Sequence, residues 1–114
     1  MKKLKLTQID PAEIEVLQHE LEQYSKIEEL GLNHWGTNDF LNALLTVDIA
    51  LRLWFTLRGR IESSKEFFNL SLKVSEAVIV LKCCTWQRHG RNEYEKNVAE
   101  KYKGLLAEQL MNII

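Results

Sequence analysis

The chain has 114 residues and a mass of 13.3 kDa, room for one hydrophobic core and no second domain of ordinary size. With 46% apolar and 27% charged residues, one proline and five glycines, it falls outside the disordered, low-complexity and collagen-like classes. Fifteen Lys and Arg against sixteen Asp and Glu leave a net charge of -1. Neither a polybasic coat for nucleic acid nor an acidic mimic of one fits, and any electrostatic site has to be local.

Residues 1–9 carry Lys2, Lys3 and Lys5 with no apolar run behind them. They read as a flexible basic N-terminal tail and not as a secretory leader, which points to a cytoplasmic setting. A helix start follows: Asp10 as N-cap, Pro11 at the first helical position, Glu13 and Glu15 in the first turn. Ile14, Leu17, Leu21 and Tyr24 form one stripe, Glu15, Gln18, Glu22, Lys26 and Glu29 a polar face, and Gly31 is the stop signal. The pattern predicts one amphipathic helix over residues 10–31.

A second helix is predicted from a cap at Thr37 or Asn38 to the neighbourhood of Arg58. A third runs from Ser63 or Ser64 toward His89, with Gly90 at the left-handed C′ position, and a fourth starts from an Asn92 cap. In the fourth, Tyr94, Val98, Tyr102, Leu105 and Leu106 share a face. Val78–Val80 is β-branched, but its helical flanks and the lack of alternation around it favour helix. Four helices of similar length with short connections predict an all-α, single-domain, antiparallel up-down-up-down four-helix bundle spanning residues 1–114.

The two middle helices carry more apolar surface than one core needs. In the second, Phe40, Ala43, Val47, Ala50, Trp54 and Leu57 make a core stripe, while Leu45, Ile49 and Leu53 make a second ridge. In the third, Phe67, Leu70, Val74, Ala77 and Leu81 face the core, while Phe68, Leu72, Ile79, Cys83 and Trp86 lie roughly opposite. A helix of a monomeric bundle buries one stripe and wets the other. The second ridges therefore predict a protein interface, through which the chain forms a homo-oligomer or docks a protein partner; the alternatives are an irregular crossing that buries both faces within one chain and a hydrophobic ligand held between helices. Asp48 and Arg52, at i and i+4, are placed to form a salt bridge, and Arg52 joins the predicted interface as a register-fixing charge. The same two charges inside the most apolar stretch, Phe40 to Leu57, argue against a membrane span.

Adjacent Cys83 and Cys84 point in different directions on a helix and suit neither a disulfide nor a chelating pair. The sequence lacks Glu-x-x-His pairs, Cys-x-x-Cys spacing, a glycine-rich phosphate loop and a Gly-x-Ser-x-Gly turn. No cofactor, metal or catalytic residue is assigned. In the predicted bundle the 31–38 and 88–92 loops share an end, where His34, Arg88, His89 and Arg91 make a candidate anion site beside helix N-termini. The other end gathers Lys2, Lys3, Lys5, Arg58, Arg60 and Lys65 as a candidate nucleic-acid patch. The leading expectation is a non-enzymatic helical interaction module. The alternatives are a small nucleic-acid-associated regulator and a bundle that binds an anion or small ligand.

Overall fold

The computed structural model describes residues 3–31, 37–63 and 66–113, and only the backbone at residues 31 and 37–39. In chain order the elements are β1 (Leu4–Ile9), α1 (Pro11–Gly31), α2 (Thr37–Ile61), β2 (Phe68–Leu72), α3 (Val74–Thr85) and α4 (Glu93–Met111). Four helices are present, but the all-α bundle is corrected: β1 and β2 pair as a two-stranded antiparallel sheet.

The sheet forms where helix was expected because the local apolar period is two. Phe68, Leu70 and Leu72 are buried and Asn69 and Ser71 exposed, an alternation that a helix would scatter around its circumference and a strand gathers on one face. Residues 4–9, expected as a tail, supply the partner: Leu4 faces Leu72 and Leu6 faces Leu70 across the ladder. The register slips between Leu6 and Ile9, so that Ile9 opposes Phe68. Gln8 takes a left-handed backbone angle of φ 53 at this irregularity. Strict alternation would turn residue 8 inward, and the extra residue swings the fully buried Ile9 onto the core face instead.

The helix boundaries follow from capping. Asp10 Oδ1 accepts from Ala12 N at 2.8 Å while Asp10 N donates to Glu13 Oε1 at 3.1 Å, a reciprocal cap ahead of Pro11-led α1. Asn92 and Glu95 do the same for α4, at 2.8 and 2.9 Å. α3 starts late, where Lys73 N donates to Glu76 Oε1 at 2.8 Å, and it ends at Thr85, well before His89. Gly90, with φ 92, therefore serves the connection to α4 and is not the C′ residue of a longer third helix. α2 continues through Gly59 to Ile61.

α1 touches each of the other helices and packs most extensively along α2, while α3 packs along α4. The sheet lies against α3 and α4, and Ile9, Ile14, Leu21, Leu57, Leu72, Tyr102 and Leu106 meet in one core.

Candidate functional site

The buried stripe of α2 is Ala43, Thr46, Ala50, Leu53 and Leu57, spaced by three and four residues as a helix facing one core requires. It is rotated from the predicted stripe: Phe40 is exposed and Val47 and Trp54 are only half-buried. Thr46 is accommodated because its hydroxyl donates to Asn42 O at 3.0 Å. On the opposite side, Leu41, Leu44, Leu45, Leu51 and Phe55 are between 41% and 63% exposed. Leu41, Leu44, Asp48, Leu51 and Phe55 repeat at steps of three, four, three and four, the spacing of a coiled-coil seam. Asp48 lies directly away from the core, and its Oδ2 accepts from Arg52 Nη2 at 2.9 Å. By length and composition the Phe40–Ile61 segment is apolar enough to cross a membrane, and with 28% of its most apolar stretch buried it is not a mostly buried core helix.

Of the predicted interface residues, Leu45 and Arg52 are exposed, Ile49 is half-buried, and Leu53 is in the core. The ridge assigned to the third helix is corrected. Phe68 and Leu72 belong to β2, and with Ile79 and Cys83 they are buried within this chain. Trp86, just past α3, packs edge-on against Tyr24 with ring centroids 5.6 Å apart. A short α3, contacted by α1, α2, α4 and β2, buries apolar side chains on more than one side.

At the candidate anion site, Arg88 and Arg91 are turned inward. Glu20 of α1, fully buried, accepts from Arg88 Nη2 at 2.7 Å, Arg88 Nε at 3.3 Å and Arg91 Nη2 at 2.8 Å. Arg88 Nη2 also donates to Glu95 Oε2 at 3.1 Å, and Arg91 Nη2 to Cys83 O at 2.8 Å. Burial pushes the Glu20 carboxyl up, but the hydrogen bonds and charges of Arg88 and Arg91 outweigh it and hold the group below its ordinary value. Two carboxylates thus already answer two guanidiniums. A pocket of about 250 Å3 beside them is lined by Thr85, Arg88, Arg91, Lys96 and Glu100 among others; with Arg88 and Arg91 engaged by Glu20 and Glu95, its remaining charges are Lys96 and Glu100. Arg91 Nε is buried without a hydrogen-bond partner among the described residues. His89 is exposed, and His34 lies outside the described residues, as does Trp35.

The candidate nucleic-acid patch is also dispersed. Lys2 and Lys65 lie outside the described residues. Lys3 and Lys5 are exposed beside the end of α4, where Lys5 N donates to Gln109 Oε1 at 3.2 Å. Arg58 is paired with Glu62 at 3.2 Å and sits 5.7 Å from the centroid of the Trp54 ring, and Arg60 is exposed at the end of α2.

Cys83 and Cys84 are free and buried. Burial pushes both thiols up, Cys84 to about 12, against the thiolate form in which a cysteine acts as a nucleophile. Among the described residues, no group of three His, Cys, Asp or Glu is gathered for a metal ion. A second buried carboxylate, Glu13, accepts from Lys101 Nζ at 2.7 Å and from Tyr102 Oη at 2.9 Å.

Compared with protein-family models, curated proteins and solved structures, the chain finds no match. The functional candidates therefore rest on its own geometry. Sequence reasoning passed over Leu41, Leu44, Leu51 and Phe55, although their three-four spacing through Asp48 was a usable signal. It also passed over Glu20, which nothing in its local sequence separates from the solvated glutamates of α1.

Proposed function

We propose that this protein is a non-enzymatic interaction module that self-associates through the outer face of α2. One observation carries the reading: five large apolar side chains from Leu41 to Phe55 stand exposed on one side of one helix, an apolar patch around one ion pair, of the kind that marks partner sites. The central Asp48–Arg52 pair favours a protein surface over lipid, because charges at the middle of an apolar face are costly in hydrocarbon, while a second protein surface can offer them further charged partners. The test is solution mass by light scattering. Wild type is expected to be oligomeric at tens of micromolar, and Leu45→Glu with Phe55→Glu to give a soluble monomer of unchanged helicity, since both side chains lie outside the core. A wild type that stays monomeric at high micromolar concentration overturns the reading.

A further inference from the structure

Resting on that reading, we infer that the partner is a second copy of this chain and that the two α2 helices pair antiparallel about a two-fold axis at the level of Ala50. The outer face of α2 is self-complementary in that register and in no parallel one. A two-fold axis there sets residue 48 against 52 of the second copy, 45 against 55, and 41 against 59. Asp48 then meets the second copy's Arg52 twice over, joining two exposed i,i+4 pairs into a ring of four alternating charges. Leu45 meets Phe55, and Leu41 meets Gly59, where among the described residues nothing beyond the adjoining helix backbone and chain neighbours lies within 4 Å of an added Cβ.

The helix geometry agrees with the charge pattern. At about 100° per residue, the 48/52, 45/55 and 41/59 pairs all straddle one line along α2, and that line lies within a fraction of a turn of the point opposite the buried stripe. Helix geometry thus permits the contact with the core side of α2 undisturbed. In a parallel pairing Asp48 would face Asp48 and Arg52 would face Arg52, and like charges brought together oppose association. An isologous contact is also closed, giving a dimer and no filament. The paired charges fix register, the best-attested use of a polar group within an apolar helix seam.

Charge exchange and cross-linking test the register separately from association itself. Asp48→Arg and Arg52→Asp, each alone, are expected to weaken the dimer roughly tenfold to a hundredfold. The double variant should recover it, and the two single variants, when mixed, should form a heterodimer. Recovery on mixing has no explanation in the i,i+4 pair within one chain. For orientation, Leu45→Cys chains mixed with Phe55→Cys chains should form a 45–55 disulfide between copies, while Leu45→Cys chains alone should not cross-link. The native cysteines are buried and do not compete. Ready 45–45 cross-linking, or an oligomer indifferent to both charge variants, overturns the antiparallel register and leaves self-association standing. A monomeric wild type overturns both, and binding of that monomer to anionic phospholipid vesicles would assign the face to lipid.

Discussion

Arg88 grips Glu20 with both Nη2 and Nε, at 2.7 and 3.3 Å, across 68 residues of chain. The pair ties the connection between α3 and α4 to the middle of α1. Arg91 closes on the same carboxylate, and Glu95 joins through one oxygen while its other oxygen caps α4. Removing the carboxylate leaves two buried guanidiniums short of a counterion. Glu20→Gln should therefore destabilise the fold by about 3–5 kcal/mol, as breaking one member of a buried ion pair does. Urea unfolding measures it, and Glu22→Gln on the exposed Glu22–Lys26 pair serves as a control, expected to cost less than about 1 kcal/mol.

The same carboxylates set the acid limit. Glu13 and Glu20 are both held below their ordinary value of 4.5, Glu13 because bonds from Lys101, Asp10 N and Tyr102 outweigh the burial that raises it. Because each folded-state value is the lower one, the unfolded chain binds more protons in that window. The contribution is full above about pH 4.5 and is lost as pH falls through the folded values. Glu20→Gln should flatten the acid limb of the stability profile.

The alkaline limit has the opposite sign. Burial first, then the bond to Glu13, raise the Tyr102 hydroxyl above its ordinary 10.0. Stability from this group is complete below pH 10 and declines above it. Tyr102→Phe should shrink the alkaline loss while lowering stability near neutrality by about 1.5–3 kcal/mol, the value of a hydrogen bond to a charged acceptor.

How far the fold was legible depended on whether its signal was local. The Asp10–Glu13 and Asn92–Glu95 caps could be read because capping is a matter of three-residue spacing and small hydrogen-bonding side chains. β2 could not be read with the same ease. Phe67, Leu70 and Val74 satisfy a helical spacing while Phe68, Leu70 and Leu72 satisfy a strand's, and the tie is broken only by pairing with Leu4 and Leu6, more than sixty residues away in sequence. The expected second ridge of α2 fell partly on Ile49 and Leu53, which are half-buried and buried, because the rotation of α2 is set by contacts with α1 and α3. Glu20 was invisible for a related reason: its cations come from the 86–92 connection, which no periodicity within α1 reports.

Cys83 and Cys84 provide a probe of that packing. Both thiols are raised by burial, so native protein should react with a thiol reagent orders of magnitude more slowly than the unfolded chain. Glu20→Gln should raise the logarithm of the labelling rate in proportion to its loss of stability, provided reclosing outpaces the reaction. Equal labelling rates for folded and unfolded protein would contradict the burial of these side chains.

Gln8 tests the bulge that brings the N-terminal segment into the core. Its φ of 53 places a side-chain-bearing residue in the left-handed region, at a cost of about 1–2 kcal/mol that glycine does not incur. The Gln8 side chain is exposed, and its backbone N donates to Asn69 Oδ1 at 3.2 Å, a bond that glycine keeps. Gln8→Gly should therefore be neutral or stabilising by up to about 1 kcal/mol, the relief of strain being partly offset by the greater freedom of the unfolded chain. Gln8→Val should destabilise, because a β-branched side chain is least tolerant of positive φ. If the two variants unfold at the same urea concentration, residue 8 does not hold this conformation, and Ile9 must reach the core by some other route.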